Sequence, residues 1–180
     1  MWFGLTGRNA SGKTTVVEWL RQRGYKTTSC SDSIREWLRN EGKEITRENL
    51  IQGGRTLRKQ GGPAILAEML RDSNKEVANL VVDSIRTPAE VEALRERSDF
   101  VLIEVRASRE VRWKRLQERG RDGDPTTFEE FVQQEDSELV AKDESGQALK
   151  ATAAMADIVI NNEGASQELE VALEALLRPA

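Results

Sequence analysis

A single segment, residues 7 to 14, constrains this chain more than any other. Its sequence, Gly7-Arg8-Asn9-Ala10-Ser11-Gly12-Lys13-Thr14, fits the pattern G-x-x-x-x-G-K-[ST] at every position. A strand-like run, Trp2 to Leu5, precedes the segment, and a helix-like pattern, Thr14 to Arg23, follows it. In that setting the glycines let backbone N–H groups turn inward toward phosphate oxygens, and the helix N-terminus adds a favourable dipole. The segment therefore predicts a phosphate-binding loop between a strand and a helix.

The residue types in this loop indicate how a nucleotide would be held. Lys13 is expected to bridge the outer phosphates, and the hydroxyl of Thr14 is expected to bind magnesium. A chance match in a glycine-bearing turn is the alternative, and the strand and helix on either side argue against it. We assign ATP contacts to the loop and to the residue after it: Gly7, Arg8, Asn9, Ala10, Ser11, Gly12, Lys13, Thr14 and Thr15.

Short apolar runs alternate with longer segments of helical period along the whole chain. This alternation is typical of a parallel sheet covered by helices, an α/β fold. At 180 residues the chain fits one domain, residues 1–180. The predicted strands are Trp2 to Leu5, Thr27 to Cys30, Leu80 to Val82, Phe100 to Val105 and Ile158 to Ile160.

Composition excludes several kinds of chemistry and several partners. The chain has no histidine, so it cannot use an imidazole base, His-ligated zinc or a histidine-activated nucleophile. Its net charge of −4 argues against broad binding to nucleic acid. A single cysteine, Cys30, cannot form an internal disulfide, and no apolar run is long enough for a membrane span. We expect a cytoplasmic protein without a membrane partner, and an oligomer remains possible.

Acidic and basic residues recur together where two predicted strands end. Asp32 follows the second run and Asp83 follows the third, and each has an arginine three residues later, Arg35 and Arg86. Ligands of open parallel sheets bind beyond the carboxyl ends of the strands. A guanidinium there suits a phosphate, and a carboxylate suits a hydroxyl or the waters of magnesium. The alternative is that both aspartates cap helices while the arginines are solvated.

Two further segments are predicted to cover this edge of the sheet. Residues 31–79 hold two or three helices, more than a simple crossover needs, and predict a helical flap on the acceptor side, where Trp37 could line the acceptor base. Residues 115–127 predict a short lid, in which cationic side chains would neutralise the transferring phosphoryl group and exclude water. The lid cations are Arg115, Arg119 and Arg121, whereas Arg112 and Lys114 are expected to be solvated.

At this point the motifs resemble those of a known family, the adenylate kinases. Ser31-Asp32-Ser33-Ile34-Arg35 resembles their G-D-x-[LI]-R segment, and Asp83-Ser84-Ile85-Arg86 resembles their D-G-F-P-R segment, one residue shorter. The resemblance implies contacts from Arg35 and Arg86 to the acceptor phosphate, a water-mediated magnesium contact from Asp83, and the strand order 2-3-1-4-5. It also implies that Asn161, after the last run, flanks adenine, with a plain strand-to-helix turn as the alternative.

Over nearly its full length the chain is most similar to a group of archaeal adenylate-kinase-like proteins that also resemble dephospho-coenzyme-A kinase. In those kinases an aspartate at the position of Asp32 orients or deprotonates the acceptor hydroxyl. The sequence thus leaves two small-molecule acceptors open, a nucleoside or deoxynucleoside monophosphate and a hydroxyl on a nucleotide-like molecule. Phosphorylation of nucleic-acid ends or bases is a third alternative, which the acidic pI disfavours. A GTPase is disfavoured because the N-K-x-D element is absent, and an ATP-binding regulatory module stays as an alternative of another class.

The resulting expectation is a small-molecule kinase that uses ATP and Mg²⁺. Its predicted catalytic residues are Lys13, Asp32, Arg115, Arg119 and Arg121. Its predicted acceptor-binding residues are Asp32, Arg35, Trp37 and Arg86, and its predicted metal contacts are Thr14 and, through water, Asp83.

Overall fold

The computed structural model describes residues 1–120, 124–139, 148–164 and 166–177. Within these ranges the chain forms five strands and nine helices. The strands are β1 (Trp2–Thr6), β2 (Lys26–Ser29), β3 (Leu80–Asp83), β4 (Phe100–Arg106) and β5 (Ile158–Asn161). The helices are α1 (Lys13–Arg21), α2 (Cys30–Asn40), α3 (Arg47–Gly61), α4 (Ile65–Ser73), α5 (Pro88–Arg95), α6 (Arg109–Arg119), α7 (Phe128–Leu139), α8 (Leu149–Ala153) and α9 (Ser166–Leu176). None of the described helices combines the length and apolarity required to cross a bilayer.

All five strands run parallel in one sheet, in the order β2-β3-β1-β4-β5. Strand β1 lies at the centre, where Trp2 faces Leu80 of β3 on one side and Phe100 of β4 on the other. Both the parallel sheet and the order implied by the resemblance are confirmed. Because the strands are parallel, their carboxyl ends meet at one edge, and the loop after β1 lies in the middle of that edge.

Alternate residues of each strand enter two separate hydrophobic cores, one on each face of the sheet. From β1, Trp2 packs with helices α2 to α5, whereas Phe3 and Leu5 pack with α1 and α9. Strand β4 divides in the same way, with Leu102 on the first face and Ile103 on the second. Burial on both faces explains why the strands appear in the sequence as continuous apolar runs.

Local capping residues determine where several elements begin and end. Ser29 caps α2 with Asp32 as its reciprocal partner, so β2 ends at Ser29 and Cys30 already belongs to the helix. The predicted second strand, Thr27 to Cys30, therefore extended one residue too far. Thr87 and Glu90 form a capping box at the start of α5, and Gly120 ends α6 with a left-handed φ of 49°.

Three helices occupy the segment predicted as an acceptor-side insertion. Helices α2, α3 and α4 lie between β2 and β3 in the chain, and their side chains join the first core. Ile34 and Leu38 of α2, Leu57 of α3 and Leu66 of α4 are all buried there. This insertion is therefore packed against one face of the sheet.

Candidate active site

The phosphate-binding loop needs glycine at both ends of its motif. Gly7 has a φ of 135°, and a Cβ there would come within 2.4 Å of the Val105 carbonyl oxygen. Gly12 has a φ of 103°, and a Cβ there would come within 2.0 Å of Nδ2 of Asn162. L-amino acids with a side chain rarely adopt such φ values. The two glycines thus allow the loop to turn tightly between β4 and the residues that follow β5.

Three features of the loop indicate where a phosphate would bind: the Lys13 ammonium, the Ser11 hydroxyl and the backbone of Ala10. The Lys13 ammonium donates hydrogen bonds to the carbonyl oxygens of Gly7 at 2.8 Å and of Arg8 at 2.9 Å. The hydroxyl of Ser11 is buried and has no hydrogen-bond partner among the described residues. Ala10 is held in the left-handed region with a φ of 58°, which is unfavourable for a residue with a Cβ. A phosphate oxygen in the loop would supply the acceptor that the Ser11 hydroxyl lacks.

Asn162 and Arg115 brace the loop from the β4 side. The Asn162 amide is buried and donates to the Ser11 carbonyl oxygen at 2.9 Å. Arg115 of α6 donates to the backbone oxygen of Asn162 at 3.0 Å and to the carbonyl oxygens of Ala10 and Ser11, both at 3.4 Å. Two elements distant in sequence are thereby joined to the phosphate-binding loop.

Arg119 lies at the end of α6, also beside the loop. Its guanidinium forms a close ion pair with Asp124 and donates to Oδ1 of Asn9 at 3.2 Å. Hydrogen bonding to Asp124 raises the pKa of Arg119 above its usual value, so the side chain is a permanent cation there. The third predicted lid cation, Arg121, lies outside the described residues.

Arg112, one turn before Arg115, is buried, and the expectation that it is solvated was wrong. It forms an ion pair with Glu135 of α7, with Nη2 at 3.2 Å from Oε2, and donates to the Ala107 carbonyl oxygen. The same carboxylate receives Arg109 at 3.2 Å and lies 3.6 Å from Arg8 of the loop. Burial, with help from Arg8 and Arg109, lowers the pKa of Arg112 to about 10, which still leaves it charged at neutral pH.

On the other side of the loop, Asp32 and Arg35 form an exposed cluster at the end of β2. Oδ2 of Asp32 accepts hydrogen bonds from the Ser29 N–H at 2.8 Å and from the Ser29 hydroxyl at 3.0 Å. Its other oxygen accepts from the Arg35 guanidinium at 2.9 Å. Both carboxylate oxygens are thus engaged by protein donors. Asp32 caps α2, and Arg35 is held beside it.

The thiol of Cys30 indicates how the neighbouring charges are arranged. Burial raises its pKa well above the usual value, the negative charges of Glu90 and Asp32 raise it further, and Arg58 and Arg86 act in the opposite direction. These four charged residues therefore lie close enough to Cys30 for their charges to act on its thiol. Arg86 and Asp32 were predicted to meet at this edge, whereas Arg58 and Glu90 were not predicted to be part of it.

Asp83 and Thr14 are the two residues predicted to serve a metal. Oδ1 of Asp83 is buried and has no hydrogen-bond partner within the described ranges, and the side chain of Thr14 is exposed at the start of α1. No group of three or more metal-ligating side chains lies together in the described part of the chain. Magnesium keeps several waters and needs few protein ligands, so the oxygen atoms of Thr14 and Asp83 are of the kind that it would require.

The backbone next to Asp83 is in an unusual conformation, because Ser84 has a φ of 60°.

Trp37 and Asn161 lie less centrally than the other predicted site residues. Trp37 packs against the first core, close to Gly53 of α3, with the Lys43 ammonium 4.8 Å from its ring centre. Asn161 is exposed and lines a cavity of about 320 Å³ beside Arg8 and Arg106. Its neighbour Asn162 is the residue that contacts the loop, and in the sequence only its place in the same Asn-Asn pair pointed to it.

The chain is similar to known proteins in sequence and in fold. The chain is 34% identical over 177 residues to a UPF0200 protein of Hyperthermus butylicus, across 96% of this chain and 91% of the relative. It shares its fold with shikimate kinase from Aquifex aeolicus (22% identity, TM-score 0.57) and with dephospho-CoA kinase from Campylobacter jejuni (17% identity, TM-score 0.58). Each superposition covers 98% of this chain and 94% of the other.

The sheet order, the glycine-rich loop after the central strand and these likenesses define the class of the protein. It is a P-loop protein with the fold of small-molecule kinases. The family model described as AAA domain matches residues 4–141. The chain belongs to that family and to the UPF0200 proteins.

Proposed function

We propose that this protein transfers the γ-phosphoryl group of ATP to the phosphate of a nucleotide-like acceptor, most simply a nucleoside monophosphate. The observation that supports the proposal is that Arg35, in α2 directly after β2, and Arg86, directly after β3, both follow strands whose carboxyl ends share one edge of the sheet with the phosphate-binding loop. Donor and acceptor phosphates would then meet at the carboxyl edge of the sheet. Phosphoryl transfer needs little more from a protein than such positioning and charge stabilisation.

The loop residues would bind and orient the donor. Lys13, now hydrogen-bonded to its own loop, would turn to the outer phosphates, and the Ser11 hydroxyl would gain a partner. Thr14 and Asp83 would hold Mg²⁺, which when bound neutralises phosphate charge. Arg115 and Arg119 would keep their guanidinium groups beside the loop and exclude water as the lid closes.

In the reaction, an oxygen of the acceptor phosphate attacks the γ-phosphorus atom. A new oxygen–phosphorus bond forms, the bond to the β–γ bridging oxygen breaks, and ADP leaves. An acceptor phosphate is already an anion at neutral pH, so no side chain has to remove a proton. The occupied oxygens of Asp32 support this acceptor, because a carboxylate that caps α2 and pairs with Arg35 is poorly free to act as a base.

A hydroxyl acceptor is the second candidate, and one observation favours it. The side chain of Asp32 is half exposed at the end of β2, where a carboxylate could orient a hydroxyl if Arg35 moved aside. The named activities of the two structural relatives, shikimate kinase and dephospho-CoA kinase, belong to those proteins and at this low identity do not decide between the acceptors.

The deciding experiment is a substrate panel. The purified protein is incubated with MgATP and, separately, with nucleoside monophosphates, deoxynucleoside monophosphates, dephospho-coenzyme A and no acceptor, and ADP and phosphorylated products are measured. We expect ADP release to rise with a monophosphate and a diphosphate to appear. Phosphorylated dephospho-coenzyme A would instead establish the hydroxyl acceptor. A slow ADP release that no acceptor changes would favour an ATP-binding regulatory module.

A further inference from the structure

Arg58 of α3 is an arginine that the proposed site has not used. It lies beside the carboxyl edge of β2 and β3, and its charge acts on the Cys30 thiol together with those of Asp32 and Arg86. Its side chain is 13% exposed. This cation lies on the helical insertion, and its partner Glu90 also contacts the backbone of Arg86, one of the predicted acceptor arginines.

The hydrogen bonds of Arg58 leave most of its donors unused. Nη2 donates to Oε1 of Glu90 at 3.0 Å. Nε is buried without a partner among the described residues, and Nη1 makes no hydrogen bond within the same ranges. A guanidinium carries five N–H groups, and leaving buried ones unpaired is unfavourable. The free protein therefore holds a partly desolvated cation whose missing partner would be an anion.

Glu90 fixes the place of this guanidinium relative to the end of β3. The Glu90 side chain is only 1% exposed. One oxygen pairs with Arg58, and the other accepts from the backbone N–H groups of Arg86 at 2.9 Å and Thr87 at 3.2 Å. A single buried carboxylate thus links α3 to the turn that carries Arg86.

We propose that Arg58 is a third cation of the acceptor site and binds an oxyanion of the acceptor, with Glu90 as the residue that positions it. This inference rests on the proposed function for the identity of the acceptor, a molecule with a phosphate group. It adds that recognition of this phosphate extends to helix α3. An arginine held by a buried carboxylate keeps its planar donors in one orientation, as recognition of a phosphate requires.

The main test is the substitution Arg58→Lys, which keeps the positive charge and the pair with Glu90 but removes the guanidinium. Arg55→Lys, at an exposed position of the same helix, is the matched control. We expect Arg58→Lys to raise the acceptor KM at least tenfold, with the KM for ATP and the melting temperature unchanged, and Arg55→Lys to match the wild type. A wild-type acceptor KM in a folded Arg58→Lys protein would overturn the proposal.

A binding experiment separates this inference from the proposed reaction. With the loop filled by a non-hydrolysable ATP analogue, inorganic phosphate is titrated by calorimetry into the wild type and Arg58→Lys. Loss of phosphate binding in Arg58→Lys supports the anion site even if the panel yields no phosphorylated monophosphate, in which case only the reaction fails. Equal binding in both proteins, or none in the wild type, overturns the anion site even if the panel confirms the kinase.

The role of Glu90 is tested by a double-mutant cycle. If Glu90 acts by positioning Arg58, Glu90→Gln should raise the acceptor KM, and the double variant with Arg58→Lys should show little further increase. Additive effects on KM would mean that Glu90 does not act through Arg58.

Discussion

The two sides of the phosphate-binding loop differ in how their charged groups are held. On the β4 side, Arg112 and Glu135 are 2% and 5% exposed and are joined to Arg8 of the loop. On the β3 side, Arg35 and Asp32 are 37% and 51% exposed and pair only with near neighbours in sequence. An exposed ion pair contributes about 0.2 to 1 kcal/mol, whereas breaking a buried one costs about 3 to 5 kcal/mol.

This difference suggests that the two sides have different tasks. On the β4 side, the buried ion pairs and the hydrogen bond from Asn162 hold the loop in one arrangement before any nucleotide binds. Charge that is preorganised in this way lowers the barrier to phosphoryl transfer. Weak, solvated pairs on the acceptor side can exchange their partners for a substrate at little cost. The buried pair of Arg58 and Glu90 is the exception on that side, and it lies where we propose that the acceptor phosphate binds.

The largest effect is expected from removing the buried carboxylate on the β4 side. Glu135→Gln leaves Arg112 buried without a counter-charge and should lower the free energy of unfolding by about 3 to 5 kcal/mol. Asp32→Asn on the exposed side should lower it by less than about 1 kcal/mol, because asparagine also caps helices. Urea unfolding measures both.

An exposed glutamate serves as the control for this pair of variants. Glu118 is 64% exposed and lies 3.9 Å from Lys114, so Glu118→Gln should change stability by no more than about 0.5 kcal/mol. Equal losses in Glu135→Gln and Asp32→Asn would remove the proposed contrast between the two sides.

A smaller effect is expected from substituting Lys13 of the phosphate-binding loop, and it concerns the rate of phosphoryl transfer, not the stability of the fold. Its charge would act on the phosphoryl group in transfer, so Lys13→Ala should lower kcat by about 100-fold or more. Circular dichroism should show an intact fold, and the exposed Lys75→Ala should keep normal turnover. Unchanged turnover in Lys13→Ala would mean that residues 7 to 14 are not the active loop.

Substitutions of Arg35 and Asp32 test the acceptor side alone. Arg35→Ala removes a charge-assisted hydrogen bond of about 1.5 to 3 kcal/mol and should raise the acceptor KM by roughly 10-fold to 150-fold. Asp32→Asn should change kcat by less than about tenfold if the acceptor is a phosphate. The reverse pattern, a collapse of kcat in Asp32→Asn with a nearly normal Arg35→Ala, would identify a hydroxyl acceptor.

The smallest effect concerns backbone strain on the acceptor side. Ser84 adopts a left-handed φ of 60°, which costs about 1 to 2 kcal/mol for a residue with a side chain. Glycine relieves this strain but loses about 0.4 to 1 kcal/mol through its freer unfolded state. Ser84→Gly should therefore be stabilising by about 0.5 kcal/mol, whereas Ser73→Gly in α4 should be destabilising. A destabilised Ser84→Gly protein would show that the hydroxyl has a structural role.

The sequence predicted the fold well because its signals are local. The strands appear as apolar runs, the capping box of Thr87 and Glu90 appears as a spaced pair, and the loop appears as a motif. Even the error at Cys30 was a matter of one residue, since the cap formed by Ser29 and Asp32 decides where β2 ends.

The charge networks of the site could not be predicted in the same way. Arg112 looks like an ordinary helix cation until Glu135, 23 positions later, lies against it. Arg58 is one of several arginines in α3, and Glu90 already had a role as a capping residue, so neither had a pattern that marked it. Which cations are buried depends on tertiary packing, and that information is spread over the whole chain.

The hydrogen bond from Asn162 to Ser11 joins residues 151 positions apart. During synthesis the loop of residues 7 to 14 therefore leaves the ribosome long before its brace does, and domains generally fold as units. A nascent chain that ends before β5 has the complete loop sequence but not the amide that holds Ser11 in place. We expect its competence to bind ATP tightly to emerge late, when the sheet is complete, so that unfinished chains do not sequester nucleotide.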